Sequence, residues 1–254
     1  MLTMYGRVTI CVPVFNESLV IVDYLRELEN AFRNLGARVV LIDDCSTDET
    51  VLRVQEANFG EFVTVIRNST NQGHGPSVIT ALVTASRADC EVIVTVDGDA
   101  EMSALEIQKL LETLNTECVH VVEGHRRQRL DPTFRKVVSL VARILIVVIG
   151  GRVMWSAKDA NSPVRAYKRD ALMKILSHLH ADSMTPNLLT SMVARKLGMQ
   201  IGYVDVNCRK VGTERVQGTT WMARFRNIPS RRFLQFCLSA TFDLLRFGRN
   251  LRRQ

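Results

Sequence analysis

The 254-residue sequence predicts an α/β protein with a mostly parallel central sheet and helices on both faces. Three observations lead there. Short apolar runs alternate with stretches whose apolar residues recur at helical spacing. The links between them are short, as right-handed crossovers in a parallel sheet require. Several apolar runs also end in acidic residues just before a helix start, and sheets of this kind bind ligands beyond the carboxyl ends of their strands.

Taken in order, Val8, Ile10 and Val12 alternate in a first strand that ends at Pro13, and further strands are predicted at 38–43, 62–67 and 91–97. Helices are predicted at 19–35, 47–57 and 77–88. Two helix starts carry a capping-box pattern, Ser46-x-x-Glu49 and Ser103-x-x-Glu106, in which hydroxyl and carboxylate would satisfy backbone N–H groups reciprocally. After a strand at 119–123 the regularity stops. A basic stretch at 125–129 leads into an apolar helical run at 134–149, then 166–197 reads as helical, 201–206 as a last strand and 233–251 as an amphipathic helix ending in arginines. The predicted division is a main domain at 1–218 and a basic amphipathic helical segment at 219–254, expected to face a membrane.

With 46% hydrophobic and 23% charged residues the chain can bury a sizeable core, which excludes a disordered polypeptide. The net charge of +7 is concentrated at the end: residues 205–254 hold eleven basic and three acidic residues, a local +8 that leaves −1 for 1–204. Such an excess draws polyanions, and nucleic acid, an anionic membrane or a phosphorylated ligand all qualify on charge alone. The absence of a recognised nucleic-acid module argues against the first. Six cysteines without a C-x-x-C pair fit free thiols in a reducing compartment. No secretory leader is read at the start, so a cytoplasmic location is expected. The apolar run 137–151 is broken by Arg143 and falls short of the ~20 residues of a spanning helix, so it is expected on a membrane or in a core.

The most specific chemical signal is Asp97-Gly98-Asp99-Ala100-Glu101, directly after the apolar run 92–96. Three carboxylates so close repel unless a cation neutralises them, and hard ions such as Mg²⁺ or Mn²⁺ prefer these oxygen ligands. Alone, an acidic turn is as readily a simple strand-to-helix connection. Two more strand ends shift the balance, because Pro13-Val14-Phe15-Asn16-Glu17 and Asp43-Asp44-Cys45-Ser46-Thr47-Asp48 deliver polar groups to the same sheet edge.

In these segments the chain resembles family 2 glycosyltransferases of the GT-A fold, and more narrowly the dolichol-phosphate and polyprenyl-phosphate sugar transferases, mannosyl or glucosyl. That family's P-x-Y-N-E, V-D-D-x-S-x-D-x-T, N-x-G-x-G and D-x-D-x-Q are matched in order by PVFNE, IDDCSTDET, Asn71-Gln72-Gly73-His74-Gly75 and DGDAE, across roughly the first 100 residues. The resemblance implies that Pro13, Phe15, Glu17, Asp43, Asp44 and Asp97 bind the nucleotide sugar, and that Asp97, Asp99 and Glu101 hold Mg²⁺ or Mn²⁺. Phe15 lacks the usual tyrosine hydroxyl, and Glu101 replaces glutamine while keeping an oxygen ligand. Gly73 and Gly75 let the backbone approach the donor or simply turn the chain into a helix.

Beyond residue 120 the likeness is looser. It implies that Arg126, Arg135 and Ser139 receive the acceptor phosphate, that Asp159 and Arg165 join Asp99 at the reaction centre, and that a basic loop at 209–218, through Arg209 or Arg215, closes over the diphosphate. Relatives that glycosylate hydroxyl groups carry a Glu-Asp pair where this chain has Ser183-Met184-Thr185-Pro186, so no evident general base stands there, although Asp182 is near. A phosphate acceptor is already anionic and needs none. His74, His125, His178 and His180 have no metal-ligand spacing and read as surface or hydrogen-bonding residues. The expected function is inverting transfer from a nucleoside diphosphate sugar to a polyprenyl or dolichyl phosphate at a membrane surface, with a membrane-anchored subunit among the candidate partners. The alternatives are transfer to a saccharide hydroxyl and a non-catalytic, membrane-associated nucleotide-sugar-binding scaffold.

Overall fold

The computed structural model describes residues 6–126 and 151–209 together with the single positions Val147, Phe242 and Arg246. Arg135, Ser139 and Arg215, the apolar run 137–151 apart from Val147 and Gly151, and the expected segment 219–254 apart from Phe242 and Arg246 lie outside the described residues.

Seven strands form one sheet in the order β3-β2-β1-β4-β6-β5-β7. They are β1 (Val8–Val14), β2 (Arg38–Asp43), β3 (Val63–Arg67), β4 (Val92–Thr95), β5 (Val121–Arg126), β6 (Arg165–Lys168) and β7 (Ile201–Val206). β1 pairs in parallel with β2 and β4, β2 with β3, and β5 with β7. β6 alone is reversed, antiparallel to both β4 and β5. The carboxyl ends of the other six therefore share one edge with the entry to β6. Pro13 sits in central β1 without breaking a ladder, because β4 pairs only with Val8–Cys11 and leaves that flank of Pro13 outside the β4 ladder.

The helices are α1 (Ile21–Phe32), α2 (Thr50–Ala57), α3 (His74–Arg87), α4 (Ala104–Thr116), α5 (Arg169–Leu176) and α6 (Pro186–Lys196). In β1 all seven residues are buried, so alternate side chains enter two cores. Ile10 and Val12 meet Leu25 and Leu28 of α1 and Ile107 and Leu111 of α4 on one face. Cys11 and Ile93 meet Leu82 of α3, Leu172 of α5 and Met192 of α6 on the other. Among the described residues no helix is long and apolar enough to cross a membrane.

The stretch 166–197, read as helical throughout, opens instead with β6, followed by α5 and α6. A four-residue strand that begins with arginine has too little alternation to register as one. The first capping box also fails: α2 starts at Thr50, the Ser46 hydroxyl accepts Asn16 N–H at 2.9 Å, and Asp48 Oδ1 accepts Thr50 N–H at 3.0 Å. Ser103 does occupy the N-cap of α4, but its side chain makes no cap bond and Glu106 turns to Lys109 Nζ at 3.0 Å.

Candidate active site

The acidic turn follows β4 and lies across the end of β1. Val96 N–H donates to Cys11 O at 3.0 Å and Gly98 N–H to Pro13 O at 3.2 Å. Glycine is required at 98, since a Cβ there would stand 2.2 Å from Val14 Cγ1 and 3.0 Å from Pro13 O. Asp99 Oδ1 accepts Glu101 N–H at 2.9 Å, an Asx turn, and Ala100 is left-handed with φ 58°. Asn16 (φ 56°) and Cys45 (φ 62°) adopt the same unfavoured conformation at the ends of β1 and β2. Three adjacent strand ends thus hold strained non-glycine residues, which persist only where the surroundings over-determine them.

Asp97 is 31% exposed, and His74 Nε2 lies 3.6 Å from its Oδ1. His74, read as a surface or hydrogen-bonding residue, is half exposed and faces the acidic turn from the first turn of α3. Its place inside Asn71-Gln72-Gly73-His74-Gly75 was the available signal.

Asp43 and Asp44 are buried and organise the neighbouring loops. The Asp44 carboxylate accepts Asn68 Nδ2 at 2.8 Å, Gln72 N–H at 2.9 Å and Gly73 N–H at 2.8 Å, which fixes the loop leading into α3. Asp43 accepts Ser46 N–H at 3.2 Å and pairs with Arg67 Nε at 3.2 Å. Glu17 N–H is bound by Thr50 Oγ1 at 2.9 Å, and Phe15 and Glu17 are half-buried at the same edge. Gly73 at the N-cap of α3 needs φ 95°, whereas Gly75 packs against backbone: a Cβ there would be 2.5 Å from Ser183 O. The second glycine thus serves helix packing.

Arg126, at the end of β5, is held by Asp159, with Nε to Oδ2 at 2.8 Å and Nη2 to Oδ1 at 3.2 Å, and Nη2 also reaches Asn161 O. Burial pulls the Arg126 pKa down, but the Asp159 carboxylate outweighs it and holds the guanidinium above the ordinary arginine value, with a further push from Asp97.

Two residues expected at the site have side chains engaged by other parts of the protein. Arg165 is wholly buried, with Nη1 on Glu123 Oε1 at 2.8 Å, Nε on Ser162 O at 3.0 Å and Nη2 on Ala160 O at 2.6 Å, so it braces the loop that carries Asp159. Arg209 donates Nε to Ala100 O at 2.5 Å and pairs with Glu27 Oε2 at 2.7 Å, behind the acidic turn. Glu27 carries no sequence signal of a role.

Among the described residues no three His, Cys, Asp or Glu side chains converge into a metal cluster, and Asp97, Asp99 and Glu101 lie together in the one turn after β4. An oxygen donor set at a half-exposed strand end still fits Mg²⁺ or Mn²⁺, because such ions are commonly held by one or two carboxylates and complete their shell with phosphate oxygens and water. A cleft of about 490 Å³ on the opposite edge of the sheet, lined by Glu91, Lys168, Arg169 and Asp170 among others, contains none of these groups.

Fold and site together define an α/β domain of the GT-A kind, with its acidic turn at the carboxyl edge of a mostly parallel sheet. The chain belongs to glycosyl transferase family 2, whose family model matches residues 9–176. It is similar to the undecaprenyl-phosphate 4-deoxy-4-formamido-L-arabinose transferase of Proteus mirabilis (strain HI4320), 27% identical over 203 residues that cover 79% of this chain and 60% of that protein. The protein so described from Klebsiella pneumoniae (strain 342) is 28% identical over 202 residues, covering 78% and 60%. The chain thus spans about 60% of the length of these relatives. Among solved structures, glucosyl-3-phosphoglycerate synthase of Mycobacterium tuberculosis superposes with a TM-score of 0.68 at 18% identity, over 96% of this chain and 81% of that one. Its complex with Mn²⁺, UDP and glucosyl-3-phosphoglycerate gives 0.69 over 96% and 80%.

Proposed function

We propose that this chain is an inverting glycosyltransferase that moves a sugar from a nucleoside diphosphate donor to a polyprenyl phosphate at a membrane surface. The observation that carries the reading is the placement of the Asp97–Glu101 turn and the Arg126–Asp159 pair on one sheet edge. The names of the curated relatives favour undecaprenyl phosphate as acceptor, and the Mn²⁺ and UDP in the structural neighbour favour a divalent ion beside the donor. Asp97 and Asp99, with Glu101 adjoining, would hold that Mg²⁺ or Mn²⁺ ion. When bound, it neutralises charge on the departing diphosphate.

In the transfer an acceptor phosphate oxygen forms the new bond to the anomeric carbon as the bond to the diphosphate oxygen breaks, and the diphosphate leaves with the electron pair. No proton has to be taken from the acceptor, which suits a site without the Glu-Asp pair near residue 184. Asp44 and Gly73 shape the donor side, Arg126 faces the acceptor phosphate, and Asp159 keeps Arg126 aimed. Arg135, Ser139 and Arg215 extend the same anion site in this reading. Residues 219–254 add a basic segment that holds the protein at anionic lipid. Catalysis is then mostly positioning and charge stabilisation.

The test is transfer of labelled sugar from a panel of nucleoside diphosphate sugars to undecaprenyl phosphate with Mn²⁺ or Mg²⁺, comparing wild type with Asp99→Ala. Transfer that vanishes in a folded variant supports the proposal. Transfer that survives, or that goes to a saccharide hydroxyl instead, sinks it.

A further inference from the structure

The backbone of the acidic turn is held from outside by two residues that no motif of the donor site contains. Glu27 of α1 accepts Ala104 N–H at 2.7 Å with Oε1, which satisfies the first orphan donor of α4. Its other oxygen lies 2.7 Å from Arg209 Nη2. Arg209 in turn donates Nε to Ala100 O at 2.5 Å and its main-chain N–H to Glu101 O at 2.9 Å. Its guanidinium stands 5.7 Å from the Tyr24 ring centre. One ion pair therefore ties α1, the turn 97–101, the start of α4 and the chain leaving β7.

The turn has reason to need this. Ala100 sits at φ 58° with no polar side chain to offset the strain, and the Tyr24 hydroxyl beneath is buried without a hydrogen-bond partner. The two carbonyls that Arg209 holds belong to Ala100 and Glu101, so the direction in which the Asp99 and Glu101 side chains leave the backbone depends on it.

From this geometry we infer that Glu27 and Arg209 are positioning residues: together they clamp the acidic turn in the conformation that receives the cation and diphosphate, and they dock the root of the basic stretch beginning at residue 209 onto that turn. Arg209 then acts through the backbone of residues 100 and 101 and not as a phosphate ligand. The inference rests on the proposed reading of the turn as the cation and diphosphate site.

Mn²⁺ binding in the presence of UDP, and of GDP in a parallel arm, followed by electron paramagnetic resonance of the free ion, separates the two claims. Wild type that binds no Mn²⁺ with either nucleotide overturns the reading of the turn and the clamp with it. If wild type binds, Glu27→Gln, which keeps an oxygen for Ala104 N–H, and Arg209→Gln, which removes the cation, each weaken Mn²⁺ affinity about tenfold. The double variant is no weaker than either single one, because both remove the same ion pair. In the metal-free protein, amide exchange over residues 97–104 quickens in both variants while α3 is unchanged. Unaltered affinity or exchange in Glu27→Gln overturns the clamp, as do multiplying effects in the double variant.

Discussion

Arg126 and Asp159 meet side on, guanidinium Nε and Nη2 against the two carboxylate oxygens, and each side chain is little exposed. Strand β5 ends at one partner, and the loop entering β6 carries the other. Asp159→Asn keeps the shape but removes the charge that orients Arg126. Loss of a charge-assisted hydrogen bond amounts to about 1.5–3 kcal/mol, or roughly 10- to 100-fold in kcat/KM for the lipid phosphate, with the larger change in acceptor KM. Arg126→Lys, which lacks the two-pronged fork, shifts in the same direction. Initial rates against acceptor concentration decide the matter, and an unchanged acceptor KM in both variants would leave the pair with a structural task alone.

The Asp44 carboxylate carries three donors from residues 68, 72 and 73. In Asp44→Asn one oxygen becomes an NH₂ group that confronts an N–H, leaving a buried donor unsatisfied at a cost of about 1–3 kcal/mol. Thermal unfolding is expected to occur earlier and nucleotide binding to weaken together, because the loop into α3 loosens. A variant that loses nucleotide affinity at an unchanged melting temperature would instead place Asp44 in direct contact with the donor.

Gly75→Ala puts a Cβ 2.5 Å from Ser183 O and 2.8 Å from Met184 Cα and C, all backbone atoms that cannot swing aside. Either α3 or the 183–184 segment must shift, and overpacking of this kind costs about 1–3 kcal/mol. Because α3 also carries His74 opposite Asp97, the expected outcome is a lower melting temperature together with weaker donor binding in calorimetry. Gly36→Ala is the useful contrast: nothing stands within 4 Å of a Cβ there, so any loss comes from its φ of 69° and leaves the donor affinity unchanged.

The first four strands and the acidic turn were readable because each leaves a local mark: a run of apolar residues, then polar groups at the strand end. At β6 the mark is too short to read: four residues opening on arginine merged into the helical reading of 166–197, and only the approach of Glu123 from β5 makes Arg165 a buried brace. Ser46 met every local rule for a helix cap, yet its hydroxyl is taken by Asn16 thirty residues earlier in the chain. Glu27 was illegible for a related reason. On α1 it looks like any solvated glutamate, and its two partners, at 104 and 209, are brought to it by the sheet. What sequence periodicity conveys is which face an element buries. It does not say which polar group another segment will deliver to a strand end.

Glu123 is buried between two arginines, with Oε1 at 2.8 Å from Arg165 Nη1 and Oε2 at 2.8 Å from Arg195 Nη2, which joins β5, β6 and α6 at one point. Burial pushes its carboxyl pKa up, but Arg165 and Arg195 outweigh burial and hold it below the ordinary 4.5. A depressed folded pKa means that this stabilisation is complete above the unfolded value and is lost as pH falls through the folded one. The contribution is therefore full at neutral pH and disappears only below about pH 4.5, as protonation breaks the triad. Glu123→Gln leaves two buried guanidinium groups facing a neutral amide, and breaking a buried pair in this way costs about 3–5 kcal/mol. At roughly 2–4 °C per kcal/mol for a chain of this size, the melting temperature at pH 7 is expected to fall by about 6–20 °C. The difference from wild type should shrink as both are measured at successively lower pH below 4.5. A Glu123→Gln melting curve that matches wild type at pH 7, or a gap that widens on acidification, would show that the triad contributes nothing to holding the Asp159 loop against the sheet.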